Sequence, residues 1–489
     1  MAISFKKAGL ACVMVLSLGS TAAWAESAPK YVFMFIGDGM SHVQTQIANY
    51  YLDSLEQDTS AALAKKGILK SKNRLAFMDF DSIGITNTYD STSFTPDSAS
   101  TATSLATGKK THSGTINMDE TFTVPFETIA EKVKKQLGYK VGIVTSVTMN
   151  HATPAAYYAH NKSRNNYYEI GEELVHSGFE YFAGGEIAKH DNKGQSKSLY
   201  ELAKEEGYTV VLKDQKAAEA ISKNDGKVII VGEDADGALP YETDRAENMW
   251  ALADFVEKGI EVLDNDKGFF MMVEAGKIDW ACHANDAKAS IYDTIAFDNA
   301  IRVAYEFYQK HPEETLIVVT GDHETGGLTI GYAGTQYDTF LAQLQGQKGS
   351  YDKYEAMVKE YAKAKTSFET VMQEACDFFG LAMPNDATAN EKLVLTAYEL
   401  GKIKQAYEVS VNKLDIDKNE YAAIYGGYEP LAVTVLHILN NKSGVDFTSF
   451  SHTGVPVATY AHGASSDKFA GFYDNTKVFH GLADALNVR

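Results

Sequence analysis

Three short apolar runs end in acidic residues beside glycine: Ile36-Gly37-Asp38-Gly39, Val273-Glu274-Ala275-Gly276 and Thr320-Gly321-Asp322-His323. One carboxylate after a strand usually caps a helix or shapes a turn. Three of them, together with imidazoles, concentrate negative charge that cations must offset. Five residues beyond Glu274 begins Asp279-Trp280-Ala281-Cys282-His283, whose first and last residues share one helix face and aim a carboxylate and an imidazole at one ion. In isolation that pair is weak, because a capping Asp followed by an unrelated His is commoner. Beside Glu274 and the Asp322-His323 pair it reads as a metal centre. Carboxylate and hydroxyl oxygens suit magnesium, mixed imidazole and carboxylate donors suit zinc, and the sequence offers both sets. Cys282 falls on another helix face and reads as a packed thiol.

The candidate nucleophile is Ser98, in Thr95-Pro96-Asp97-Ser98-Ala99-Ser100-Thr101-Ala102-Thr103-Ser104-Leu105-Ala106-Thr107-Gly108. Pro96 to Ser98 reads as a helix start and Gly108 as its stop, which sets one hydroxyl beside unpaired amides at the positive end of the dipole. An isolated Asp-Ser-Ala would be no more than an N-cap. No His-based triad stands nearby in the sequence, so a metal has to activate the serine. Asp415-Ile416-Asp417-Lys418-Asn419 opens like a calcium loop, but Glu420 stands where the turn needs Gly and Gly426 where a bidentate acid belongs. It reads as a solvated acidic loop.

Positioning these groups requires strands that end at one edge. Tyr31 to Ile36, Val141 to Val147, Lys227 to Val231, Phe269 to Val273 and Thr315 to Val319 read as buried parallel strands, and Arg245 to Leu263 and Ala287 to Tyr308 as amphipathic helices between them. The alternation predicts an α/β three-layer sandwich with a central, mostly parallel sheet flanked by helices, binding its ligand at the carboxyl ends of the strands. Tyr337 to Phe379 and Glu391 to Tyr407 are Ala-, Leu- and Tyr-rich at helical spacing. The expected organisation is therefore a core over 26–330, a largely helical insertion over 331–450 and a return to the core over 451–489, starting with a strand at Val455 to Tyr460.

The chain has 489 residues, 45% hydrophobic and 22% charged, a globular composition. Its net charge of −20 argues against a general nucleic-acid binder while leaving room for a local basic pocket that takes one phosphate. Lys6 and Lys7 precede the apolar Ala8 to Gly19 and the small-residue exit Ala23-Trp24-Ala25, so residues 1–25 read as a secretory signal peptide. A periplasmic or secreted protein without a membrane anchor is expected, since no later segment approaches ~18 uninterrupted apolar residues. Cys282 and Cys376 then remain, too few for a disulfide framework. His112, His160, His462 and His480 read as structural or surface residues.

Gly37-Asp38-Gly39-Met40, Asp97-Ser98-Ala99, His151-Ala152-Thr153-Pro154, Arg164, Glu274 to His283, Asp322-His323 and His452-Thr453-Gly454 together resemble, in order and over nearly the whole mature chain, the alkaline phosphatase family of metal-dependent phosphomonoesterases. The resemblance implies that Asp279, His283 and His452 hold one zinc ion, that Asp38, Asp322, His323 and Ser98 surround a second, and that Asp38, Thr153 and Glu274 hold magnesium. It implies that Arg164 grips the phosphate with its planar fork while Asp97 steadies the guanidinium. The activity implied is hydrolysis of small phosphate monoesters, with broad specificity, through a phosphoserine on Ser98, in a homodimer. His151 and Trp280 replace the Asp and Lys of a common bacterial pattern, which bears on the third metal site and on the hold on phosphate. A sulfatase would need a Cys/Ser-x-Pro-x-Arg context that Asp97-Ser98-Ala99-Ser100 does not supply. An inactive binding protein would have no use for both Ser98 and Arg164.

Overall fold

Runs that are apolar at every position demand cover on both faces, and here they receive it. In a computed structural model, residues 28–57, 65, 67–191, 197–233, 236–386 and 388–489 are described. The leader expected over 1–25 lies outside them. The strands, in chain order, are β1 (Tyr31–Gly37), β2 (Ser82–Asn87), β3 (Lys140–Thr145), β4 (Tyr181–Gly184), β5 (Tyr208–Leu212), β6 (Lys227–Val231), β7 (Phe269–Ala275) and β8 (Thr315–Gly321). They continue with β9 (Glu324–Thr325), β10 (Thr329–Ile330), β11 (Val445–Asp446), β12 (His452–Thr453), β13 (Val457–Gly463) and β14 (Gly471–Asp474). Ten of them form one sheet in the order β14-β2-β13-β8-β1-β7-β3-β4-β6-β5. Among these ten, β13 alone runs against its neighbours β2 and β8.

Every residue of β1, β7 and β8 is buried. Helices Leu252–Leu263 and Ala287–Lys310 pack against one another and against the central strands. Phe33 and Phe269 meet edge to face at 5.2 Å, and Phe307 from the long helix closes on Tyr31 at 4.9 Å. Fully burying one such aromatic or aliphatic side chain contributes about 2 kcal/mol. The stretch after residue 330 carries helices Tyr351–Ala364, Phe368–Phe379, Ala397–Ser410, Lys418–Tyr425 and Pro430–Lys442.

Several elements differ from the sequence expectation for local reasons. The helix expected from Arg245 begins at Leu252, because the Arg245 guanidinium forks onto Glu242 and reaches the carbonyls of Ala246 and Met249, holding a turn. β2 has an inverted pattern: Ser82, Gly84 and Thr86 are buried while Ile83 and Ile85 are exposed. Its inward threonine belongs to a hydroxyl ladder, Thr86–Thr459–Thr320, with both spacings 2.8 Å. Asp417 of the acidic loop caps helix Lys418–Tyr425, accepting from the amides of Asn419 (2.9 Å) and Glu420 (3.2 Å).

His160 has a structural post. Its Nε2 lies 3.4 Å from Glu131 on helix Ile129–Leu137 and its Nδ1 lies 3.4 Å from Glu173 on helix Tyr167–His176. Burial works against its charge, but the two glutamates outweigh that and raise its pKa to about 10 from 6.5. Because the folded pKa lies above the unfolded one, the stabilisation is complete below pH 6.5 and disappears as pH rises through about 10. His160→Gln should lower Tm by about 2 °C at pH 6, with the gap to wild type closing toward pH 10.5. A gap constant across that range in thermal unfolding would contradict this role.

Candidate functional site

The sheet order puts β8, β1 and β7 side by side. Ile36 aligns with Glu274, and Gly37 with Gly321, so Asp38, Glu274 and Asp322 crowd one carboxyl edge. All three are at most 1% exposed. Asp322 accepts from the amides of Gly39 (3.2 Å) and His323 (2.9 Å) and from the Thr101 hydroxyl (3.0 Å). Asp38 accepts from Thr153 Oγ1 at 3.2 Å, and Glu274 from the hydroxyl of Thr145. The other Glu274 oxygen, Oε1, has no hydrogen-bond partner among the described residues. Burial and the charge of Asp38 push Glu274 well above the ordinary carboxylate range and Asp322 to about 8. Without added positive charge the three cannot ionise together.

A second group lies beside them. Asp279 and His283, one turn apart on helix Lys277–His283, stand 3.4 Å from each other, and His452 Nε2 is 3.6 Å from Asp279 and 3.1 Å from His283 Nε2. His452 arrives from the far side of the insertion because β12 pairs with β9, aligning His452 with Thr325. Each imidazole is fixed through its other nitrogen. His283 Nδ1–H donates to the Phe450 carbonyl (2.6 Å) and His452 Nδ1–H to the Pro96 carbonyl (2.5 Å). Thr325 gives its hydroxyl proton to Asp279 (2.5 Å), so it accepts from His323 Nδ1–H at 3.2 Å. All three Nε2 atoms therefore face the carboxylates, the tautomer in which imidazole binds a cation.

Three donor sets result, with ligand atoms inside each within 4.8 Å of one another: Asp279, His323 and His452; Asp38, Asp322 and His323; Asp38, His151 and Glu274. Burial opposes charge on His323, yet Asp322 and Asp38 raise its pKa to about 10, and Asp279 likewise overcomes burial to bring His283 to about 9. Protons thus stand where cations would. The donor chemistry, the orphaned Glu274 oxygen and the two Nε2 atoms facing each other all fit divalent ions.

Ser98 opens helix Ser98–Thr107, with Asp97 as its N-cap and Gly108 in the left-handed conformation at its end. The Ser98 hydroxyl lies 3.1 Å from His323 Nε2 and 3.4 Å from Asp38 Oδ1. Asp97 does more than cap. Its Oδ2 accepts from Arg164 Nη1 at 2.9 Å, while its Oδ1 takes the Ser100 amide (3.2 Å) and the Gly114 amide (2.9 Å). Burial alone would raise the Asp97 pKa, but the Arg164 guanidinium holds it below the usual range. Arg164 Nη2 also donates to His151 Nε2 at 3.2 Å. Burial, followed by Arg164, lowers the His151 pKa to about 4, and its buried Nδ1 has no partner among the described residues. His151 therefore stands between the arginine and the third donor set, with the Trp280 ring edge-on at 6.0 Å.

A cleft of about 380 Å³ joins these groups, lined by Ser98, Arg164, His151, Asp279, His283 and His452 together with Tyr241, Trp280, Tyr351, Asp352 and Tyr428. Of the site threonines the sequence reading named Thr153, and of the aromatic lining Trp280; the others had no role in it. Thr325 follows Asp322-His323 by two residues and was detectable as a nearby hydroxyl, whereas Thr101, Thr145, Tyr351 and Tyr428 carry no local signal. Cys282 is buried against Ser290 (3.3 Å) and Gln44 (3.7 Å), as a packed thiol would be. Gly39 has φ +69° and lies so close to Asp279 that a Cβ there would come within 2.9 Å of its Cα.

The profile of the alkaline phosphatase family matches residues 29–180 and 175–488. "Alkaline phosphatase 3" of Bacillus subtilis is 30% identical over 466 residues, covering 94% of this chain and 89% of that protein. "Alkaline phosphatase 4" of the same organism is 31% identical over 387 residues, 78% of this chain and 74% of that protein. Among solved structures, the cold-active alkaline phosphatase from the psychrophile Shewanella sp. superposes with a TM-score of 0.74 at 27% identity, over 93% of this chain and 99% of that one. The Thermus thermophilus alkaline phosphatase, at 23% identity, shares the fold with a TM-score of 0.76 over 98% of this chain and 96% of that one.

The Asp97–Arg164 contact gives a direct expectation. Asp97→Asn keeps a capping oxygen but removes the charge that steadies the guanidinium, so the inhibition constant of inorganic phosphate should weaken about tenfold with little change in Tm. Equal phosphate inhibition in wild type and variant would contradict it.

Proposed function

This chain belongs to the alkaline phosphatase family and is a phosphoric monoester hydrolase, and we propose that it works through a phosphoserine on Ser98. The observation that carries this reading is the Ser98 hydroxyl at a helix N-terminus, 3.1 Å from His323 and 3.4 Å from Asp38, in one cleft with Arg164. Asp279, His283 and His452 would hold one zinc ion, Asp38, Asp322, His323 and Ser98 a second, and Asp38, Thr153 and Glu274 a magnesium ion next to His151. Bound divalent ions supply positive charge and Lewis acidity where oxygens gain charge during phosphoryl transfer.

The chain's own residues account for the rest. Arg164, braced by Asp97, presents its planar fork to two phosphate oxygens. Ser98 Oγ gives up its proton to solvent and attacks phosphorus in line, forming a P–O bond as the bond to the alcohol oxygen breaks; that oxygen takes up a proton and the alcohol departs. Water then attacks the phosphoserine from the opposite side and Ser98 leaves, releasing inorganic phosphate. Two inversions retain configuration at phosphorus. Recognition centred on the phosphoryl group allows many alcohols, hence broad specificity toward small phosphomonoesters. We infer further that the chain is exported, with residues 1–25 removed, and that it forms a homodimer. Ile83, Ile85 and Phe472 on adjoining strands are exposed and offer apolar surface for a second copy to cover.

Ser98→Ala leaves Asp279, His283, His323, Asp322 and Asp38 in place. It should abolish the phosphorylated species trapped by acid quench and lower kcat/KM by on the order of a thousandfold or more, with metal content largely kept. Undiminished turnover, or phosphate still trapped on the variant, would overturn Ser98 as nucleophile.

A further inference from the structure

Only part of the cleft serves the phosphoryl group. Its volume of about 380 Å³ lies in the range that houses an organic ligand, and its lining includes the aromatic rings of Tyr241, Trp280, Tyr351 and Tyr428. Trp280 and Tyr428 are both half-buried and both line the cleft. They are held rigidly. The Tyr428 ring meets Tyr351 edge to face at 5.5 Å and stacks on Phe450 at 6.0 Å, and the Phe450 carbonyl is the group that holds His283. Tyr351 is pinned at both ends, its hydroxyl accepting the Glu429 amide proton (2.7 Å) and its own amide donating to Asp286 (2.8 Å). Trp280 packs against the buried cluster of Tyr241, Ala281 and Ala289.

Rings fixed in this way bind without the entropic cost of ordering them. We propose that Trp280 and Tyr428, backed by Tyr241 and Tyr351, form a subsite for the alcohol moiety, and that within its broad range the chain favours phosphate monoesters of flat aromatic alcohols over those of small polar alcohols. A cationic alcohol is the other group that aromatic rings attract. That place is taken: the Lys277 ammonium lies 3.7 Å from the Tyr241 ring centroid, 4.7 Å from that of Trp280 and 4.0 Å from Asp352. Since Tyr351 and Tyr428 come from the stretch after residue 330, the helical segment supplies half of the subsite.

The inference rests on the phosphomonoesterase reading, and its test separates the two. kcat/KM is measured for 1-naphthyl phosphate and for glycerol 1-phosphate in wild type, Tyr428→Ala and Trp280→Leu, with thermal unfolding to verify folding and the phosphate inhibition constant to monitor the phosphoryl end. Taking the ratio of the two substrates within each variant cancels the intrinsic difference between leaving groups. The ratio should fall about tenfold in each folded variant. In wild type, 1-naphthol should inhibit glycerol 1-phosphate turnover competitively at concentrations where added glycerol has no effect. A ratio unchanged in both variants, or no inhibition by 1-naphthol, would overturn the subsite while leaving the phosphatase reading intact. If Tyr428→Ala unfolds, Trp280→Leu and the naphthol measurement decide alone. Absence of turnover of either ester by wild type would instead sink the phosphatase reading.

Discussion

Repulsion among buried carboxylates governs this molecule. Asp38, Glu274 and Asp322 leave three adjacent strands at one edge, each almost wholly removed from water. Uncompensated, they force protons onto one another and onto His323. Such an arrangement survives in a folded protein only if charge-neutralising partners are part of the design, because an unpaired buried charge costs several kcal/mol. The surrounding structure reads as the supply of those partners: three imidazoles held in the ligating tautomer, threonine hydroxyls that occupy the remaining lone pairs, and a glycine that lets backbone pass within contact of Asp279.

The same constraint explains why remote parts of the chain must meet. His452 lies beyond more than a hundred residues of helical segment, and a two-residue ladder between β9 and β12 returns it to His323. Ser98 is delivered by a separate buried helix whose cap, Asp97, also braces Arg164. One aspartate therefore fixes both the start of the Ser98 helix and the position of the Arg164 guanidinium. The positive end of the helix and the guanidinium act on the same small volume.

Much of this was legible. The almost unbroken apolar runs at 31–36, 269–273 and 315–319 read as interior strands, and the acids that follow them had to share an edge once the strands were neighbours. Helix Ser98–Thr107 announced itself through Pro96, Asp97 and Gly108. β2 was hidden because its isoleucines point outward and its threonine inward. The helix expected at Arg245 began late because a side-chain fork onto carbonyls leaves no trace in periodicity. His151 illustrates a deeper limit: its type marked a departure from a family pattern, but only the fold reveals that one ring touches both the arginine and the third donor set. The cleft residues Tyr351 and Tyr428 were invisible for the same reason, since helical spacing says nothing of which cleft a helix end will border.

Divalent cations are the partners that this carboxylate and imidazole cluster calls for. The most direct test is calorimetric titration of the metal-stripped full chain with zinc. Saturable binding of at least two ions per chain is expected, reduced in Asp38→Asn because that carboxylate belongs to two of the three donor sets. Binding of less than one ion per chain by correctly folded protein would contradict it.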